Sequence, residues 1–189
     1  MDTLLHHVQG KAESLAGERT DVVKQPELQK VLTEFAADRL MLLLRHEAGA
    51  RVVSHYDFNN TYQYVIAREE THVAWVQAAL AELGTAMPSP SQALAVPEVG
   101  KHKKVEPSAF RAILEDDGRH LQAFISKWRS RIDEVSHARH RTMLNVVIGE
   151  SAEHMRLFEQ AATGFEDVLG KRTGGVARQG GVLSSRWME

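Results

Sequence analysis

Glutamate and histidine interrupt the apolar face of a predicted helix at a spacing that suits metal binding. Glu69 and His72 stand three residues apart, so both fall among the apolar positions of that helix. A carboxylate in an apolar core is costly unless it is paired or bound to a cation. Carboxylate oxygen and imidazole nitrogen are ligands that iron and manganese accept. The pair therefore indicates a metal site, although a single Glu-x-x-His also occurs on ion-paired helix surfaces.

The same kind of intrusion recurs in two later segments. Asp117 and His120 interrupt one apolar stripe, and Glu150 and His154 interrupt another. Glu153 is an alternative to His154 on that last face. Carboxylates and imidazoles at one level of a core would together neutralise two divalent ions.

The first predicted helix offers Glu47, with His46 beside it. Residues that face each other across a helical hairpin lie equally far from its turn, and the midpoint between Glu47 and Glu69 is position 58. The residues of 57–60, Asp-Phe-Asn-Asn, favour a turn. Glu47 is therefore expected to face Glu69, and Glu34 is the alternative if the turn is longer.

Four predicted helices position these residues. Five prolines and a few glycines separate the periodic apolar segments. Residues 85–107 hold four of the prolines and are predicted to run the length of a bundle. The pattern favours an all-α four-helix bundle of two antiparallel hairpins joined by this long crossover, the connectivity of ferritin-like folds. The predicted helices are Pro26 to Val53, Tyr62 to Leu83, one that follows Pro107 and ends near Val135, and Ala138 to Ala162.

Three regions are expected along the chain. Residues 1–25 form an N-terminal extension, 26–170 the bundle, and 171–189 a flexible glycine-containing tail. The tail ends in apolar residues between Val182 and Glu189, which are predicted to dock on the bundle, a partner or a shell protein. A homodimer or higher homo-oligomer is expected.

Composition excludes several functional classes. The chain has 189 residues, and 23 Lys and Arg against 25 Asp and Glu give a net charge of -2, which disfavours nucleic-acid binding. It has ten His and no Cys, so thiolate zinc sites and iron–sulfur clusters are excluded. No apolar run is long enough to span a membrane and the start lacks a signal peptide, so a cytoplasmic protein is expected, with a protein compartment as an alternative.

These residues resemble the ferritin-like di-iron carboxylate superfamily. Glu69-x-x-His72, on a helix that ends at Gly84, is similar to the corresponding segment of bacterioferritin and rubrerythrin relatives. The resemblance implies two iron ions per chain, or manganese, with Glu69 bridging them, His72 bound to one and Glu47 as a further ligand. It implies oxidation of ferrous iron by dioxygen or peroxide. The sequence departs from the family at Ser151, where a second Glu-x-x-His would place a glutamate.

The sequence thus leaves three functions open. The leading hypothesis is a di-metal site and a ferroxidase or peroxidase activity. A histidine-based bundle of the hemerythrin or DinB kind would use His46, His72, His120 and His154. A non-catalytic interaction or stress module would pair its core polar groups with one another. The metal ligands predicted by the leading hypothesis are Glu47, Glu69, His72, Asp117, His120, Glu150 and His154, with His46 and Glu153 as weaker alternatives.

Overall fold

The computed structural model describes residues 2–90, 107–166 and 168–170, with side chains from residue 25 onward. Within these ranges every regular element is helical, which confirms the predicted all-α class. Among the described helices, none is long and apolar enough to cross a membrane. Most of the predicted crossover and the whole tail lie outside the described residues. The helices are α1 (Asp2–Val52), α2 (Tyr56–Glu82), α3 (Arg111–Asp133) and α4 (Ala138–Ala162), with a short 3-10 turn, Pro107–Phe110, before α3.

The helices enclose one apolar core. Helix α1 packs against α2 and α3, and α4 packs against the same two helices. Each helix contributes fully buried side chains, among them Phe35, Val65, Trp128 and Phe158. Removing such a side chain from water stabilises the fold by about 1.5–3 kcal/mol. The apolar stripes read from the sequence therefore face one another, and any polar residue within a stripe is forced into this core.

Helix α1 begins much earlier than predicted. Its backbone is helical from Asp2, so the predicted extension over 1–25 continues the helix and Pro26 lies inside it. A proline suits a first turn because it lacks an N–H donor. Inside a helix the same residue loses a backbone hydrogen bond and strains the preceding turn. Here the helix continues through it, so Pro26 does not mark the start of α1.

The turn between α1 and α2 lies about four residues before its predicted place. Residues 53–55 leave the helical conformation, whereas 57–60 already belong to α2. The Asn59 side chain explains the difference, because its amide donates hydrogen bonds to the carbonyls of Ala50, at 2.7 Å, and Val53, at 2.9 Å. The turn-forming residues thus satisfy the last carbonyls of α1 from within α2. By contrast, the predicted break near Val135 and the predicted bounds of α4 are confirmed.

Gly49 allows a close approach of α1 to α2. A Cβ atom at this position would lie 2.8 Å from the ring of Tyr62, which is buried. We expect Gly49→Ala to lower the free energy of unfolding by about 1–3 kcal/mol, the usual cost of overpacking, in urea denaturation. Gly149→Ala is the matched control, because no atom lies within 4 Å of a Cβ built there. The control should be neutral or stabilising by up to about 1 kcal/mol, and an equal loss in both variants would contradict the packing explanation.

Candidate functional site

A carboxylate lies completely buried at the centre of the helices. The side chain of Glu69 has no exposed surface, and its Oε2 accepts a hydrogen bond from His46 Nδ1 at 2.8 Å. Its Oε1 lies 3.1 Å from Arg39 Nη2 and 4.0 Å from His154 Nδ1. Glu69 therefore meets a cationic side chain inside the core. We call the group of Arg39, His46, Glu69, His72, Glu150, Ser151 and His154 the central cluster.

Arg39 reaches the middle of this cluster from α1. Its guanidinium is fully buried and makes three polar contacts. One Nη2 atom contacts both Glu69 and His72 Nδ1, the latter at 2.9 Å, while Nη1 donates to Ser151 Oγ at 3.0 Å. The group also lies 5.6 Å from the ring centre of Phe124 on α3. A permanently charged side chain thus occupies the space among the predicted ligands.

Glu150 connects the cluster to solvent. Its side chain is 29% exposed, whereas that of His72, which it contacts, is fully buried. An arginine only donates hydrogen bonds, so His72 Nδ1 accepts from Arg39 and His72 Nε2 carries the proton that it donates to Glu150 at 2.9 Å. Arg68 binds the same carboxylate, with Nε 2.9 Å from Oε2, which His72 also contacts, and with Nη2 bound to Oε1. Glu150 therefore closes the cluster from outside.

The cluster shifts the protonation equilibria of its members. Burial, with a smaller contribution from Arg39, lowers the pKa of His72 from 6.5 to about 4. Burial is also the main cause that lowers the pKa of His154 to about 4. Burial alone would raise the pKa of Glu69, but the charges of His46 and Arg39 outweigh it and the pKa is lowered. At neutral pH the cluster thus holds neutral imidazoles at His72 and His154 around an ionised Arg39–Glu69 pair.

Five of the residues singled out from the sequence come together here. Glu69, His72, Glu150 and His154 meet as predicted, and they are joined by His46, the weaker alternative on α1. The apolar periodicity of α2 and α4 was sufficient to place them. Arg39 and Ser151 complete the cluster, and neither was predicted as a member of the site. The signal of Arg39 in the sequence is its spacing. Arg39 stands three or four residues from each of the buried residues Phe35, Ala36, Leu42 and Leu43, and therefore on their side of the helix.

Four other residues lie away from the cluster. Glu47 is partly exposed and lies 3.5 Å from Arg51, one turn along the same helix. His120 is exposed, and its Nδ1 lies 2.9 Å from the backbone oxygen of Asp116. Their predicted inward orientation is wrong: on α1 the neighbouring His46 is buried, and on α3 only Asp117 of the predicted pair is buried. Glu153 is exposed beside Arg156, and Glu34 pairs with Arg131.

Asp117 belongs to a separate buried group. It accepts hydrogen bonds from the hydroxyl of Tyr62 and from Arg45 Nε, the latter at 2.7 Å. Burial, together with the charge of Asp117, raises the pKa of Tyr62 far above its usual value. Tyr62 therefore stays a neutral donor, and Asp117 is satisfied without any of the other predicted ligands.

The donor set does not fit two metal ions held by four carboxylates. Each buried or half-buried carboxylate among the predicted ligands has an arginine counterion: Glu69 with Arg39, Asp117 with Arg45, and Glu150 with Arg68. On α3, the residue that lies against the guanidinium is the apolar Phe124. On α4, Ser151 is a hydrogen-bond partner of Arg39 and stands where the family resemblance would require a glutamate. The charge that metal ions would balance is already balanced by arginines.

Comparisons with protein-family models, with curated proteins and with solved structures found no match to the chain. The ferritin-like resemblance therefore stays a prediction that depends on the motif around Glu69 and His72.

Proposed function

We propose that this protein is a ferritin-like helical bundle in which arginines take the place of metal ions, and that it acts as a non-catalytic structural or binding module. Pairs of facing residues support two antiparallel hairpins. Between α1 and α2, Gln29 contacts Leu83 and His46 contacts Glu69. The two residue numbers of each pair add to nearly the same value, as they do for helices that run in opposite directions. Glu82 with Arg139 and Arg68 with Glu150 show the same relation between α2 and α4. Glu34 with Arg131 and Arg45 with Asp117 show it between α1 and α3, so α3 and α4 also run in opposite directions.

One observation carries this proposal, the position of Arg39. Its Nη2 atom contacts Glu69 Oε1 and His72 Nδ1, which belong to the two residues that the resemblance would assign to metal binding. Two unit charges about 4 Å apart repel by roughly 4 kcal/mol at the effective dielectric constant of about 20 that suits protein sites. A divalent ion beside the guanidinium would meet a larger repulsion. The cluster therefore favours the guanidinium of Arg39 over a metal ion.

The burial of the cluster also argues against catalysis. The side chains of Arg39, His46, Glu69 and His72 have no exposed surface, and that of His154 is 2% exposed. Among the described residues of the cluster, Glu150 is the one with substantial exposed surface, and Arg68 and His72 both contact it. Enzyme sites are usually open concave pockets lined with a few converging polar groups. A closed, charge-balanced cluster instead gives the helices one defined packing arrangement.

Anaerobic titration with ferrous iron, followed by air, tests the proposal. We expect no oxygen-dependent ferric absorption that depends on Glu69, so the wild type and Glu69→Gln should give equal signals. The comparison is needed because ferrous iron binds weakly to many surface carboxylates. About two ferrous ions oxidised per wild-type chain, with the signal lost in Glu69→Gln, would contradict the proposal and support the ferroxidase hypothesis.

A second function is favoured by buried ligand atoms of the central cluster that lack hydrogen-bond partners among the described residues. Four cluster atoms lack one, and besides Arg39 Nε they are three possible metal ligands: His154 Nδ1, His46 Nε2 and Glu69 Oε1, which makes an ion pair but no hydrogen bond. His154 Nδ1 and Glu69 Oε1 lie 4.0 Å apart, a separation that two ligands of one ion can have. A single ion at a histidine-based site is therefore the alternative, and it requires Arg39 to withdraw. Arg39→Met should then strengthen Zn²⁺ binding, and His154→Gln should abolish it, whereas the arginine-balanced cluster predicts no Zn²⁺ binding that depends on His154.

A further inference from the structure

Three side chains of types that bind metals lie close together outside the central cluster, where the turn between α1 and α2 meets the end of α4. His55 lies in the turn between α1 and α2, Asp57 in the first turn of α2, and Glu166 just after α4. One ligand atom of each lies within 4.8 Å of the others. All three side chains are partly exposed, so an ion from solvent can reach them. The chain brings together residues more than a hundred positions apart.

We propose that His55, Asp57 and Glu166 bind one divalent transition-metal ion, and that zinc is the ion that fits best. His55 Nε2 and Glu166 Oε1 lie 3.7 Å apart. This is too long for a hydrogen bond but close to the roughly 3.4 Å that separates two ligands of a tetrahedral ion with bonds of about 2.1 Å. One imidazole and two carboxylates suit zinc and manganese, and zinc binds such a set more tightly.

The surroundings hold the imidazole in place and leave its outer nitrogen for the ion. The ring of His55 packs against Phe58, with ring centres 4.4 Å apart, and Phe58 is buried. Nε2 is the ring atom that faces Glu166. The amino end of α2 carries a partial positive charge of about 0.5, which two carboxylates outweigh. Three protein ligands leave one position of a tetrahedral ion for water, and the ion would join the α1–α2 turn to the chain that follows α4.

Calorimetric titration of the tag-free full chain with Zn²⁺, after treatment with chelator, tests this site. We expect one equivalent of Zn²⁺ to bind per chain, with affinity reduced by about tenfold or more in both His55→Gln and Glu166→Gln. The controls are His120→Gln and Glu153→Gln, since both residues are exposed and each contacts a residue of its own helix. The controls should bind as the wild type does. Thermal melts without metal show whether each variant is folded, and Glu166→Gln decides the outcome if His55→Gln is not.

Three results would overturn this site. The first is no Zn²⁺ binding by the wild type, and the second is unchanged binding in Glu166→Gln. The third is binding that survives in Glu166→Gln but is lost in His154→Gln, which would assign the ion to the central cluster. The outcome is independent of the proposed arginine-balanced cluster, because none of His55, Asp57 and Glu166 belongs to it.

Discussion

Replacing Glu69 by glutamine is expected to lower the free energy of unfolding by about 3–5 kcal/mol, the cost of breaking a buried ion pair by removal of one partner. Glutamine has nearly the same shape, so the loss comes from charge and not from a cavity. Arg39 would remain fully buried without its carboxylate, and the hydrogen bond from His46 would be weakened. Urea denaturation at pH 7.5 in the presence of a chelator measures the change with no metal contribution.

Glu153→Gln is the matched control for this variant. Glu153 is an exposed glutamate of α4 that pairs with Arg156 three residues along the same helix. Surface pairs of this kind contribute at most about 1 kcal/mol. A loss in Glu69→Gln no larger than in Glu153→Gln would mean that Glu69 does not balance a buried charge, and the account of the central cluster would fail.

Acid is expected to destabilise the protein well before its surface carboxylates are protonated. His72 and His154 have an unfolded pKa of 6.5 and folded pKa values of about 4, so the unfolded chain binds more protons between these values. The free energy of unfolding therefore falls as the pH drops from about 6.5 toward 4, and the contribution is fully present above 6.5. A shift of this size corresponds to about 3 kcal/mol for each imidazole. Urea denaturation at a series of pH values measures the loss.

His154→Gln separates this effect from general acid denaturation. Glutamine cannot take up a proton in this range, so the variant should lose about half of the pH dependence between 6.5 and 4.5 that comes from the two imidazoles. Glu69 adds to acid sensitivity at lower pH, because its lowered pKa gives stability that is lost below about 4.5. His120→Gln is the control, since this side chain is exposed. An unchanged pH profile in His154→Gln would show that its imidazole is not kept neutral by burial.

Periodicity predicted Glu69, His72, Glu150 and His154, which are the members of the central cluster on α2 and α4 apart from Ser151. Glu69 and His72 follow the apolar stripe of α2, and His154 follows that of α4, whose bounds are confirmed. A strong apolar stripe fixes which side of a helix faces the core, and no knowledge of its neighbours is needed. These positions could therefore be read from the sequence alone.

The residues of α1 could not be placed in this way, because their register depends on the turn. The observed turn is centred near position 54, about four residues before the predicted centre. Glu69 contacts both Arg39 and His46, whose midpoints with it are 54 and 57.5, so Glu47 lies near its predicted level but on a different side of α1. A side chain of α2, Asn59, determines where this turn lies. The turn preferences of 57–60 do not show that Asn59 binds these earlier carbonyls from within a helix.

The sequence pattern also could not predict which cation pairs with each buried carboxylate. Buried carboxylates require cations, but the pattern does not say whether a metal ion or an arginine supplies the charge. Asp117 on α3 pairs with Arg45 on α1, and Glu150 on α4 pairs with Arg68 on α2. Which helices are neighbours decides these pairs, and the spacing of residues within one helix does not contain that information.

A double-mutant cycle between Arg39 and Glu69 tests the central claim most directly. Arg39→Met and Glu69→Gln should each destabilise the protein by about 3–5 kcal/mol, because each leaves one buried charge alone. The double variant removes both charges and should lose no more stability than either single variant, which gives a coupling free energy of at least about 3 kcal/mol in chelator-treated protein. If the two losses simply add, Arg39 does not serve as the cation of this core and the account is wrong.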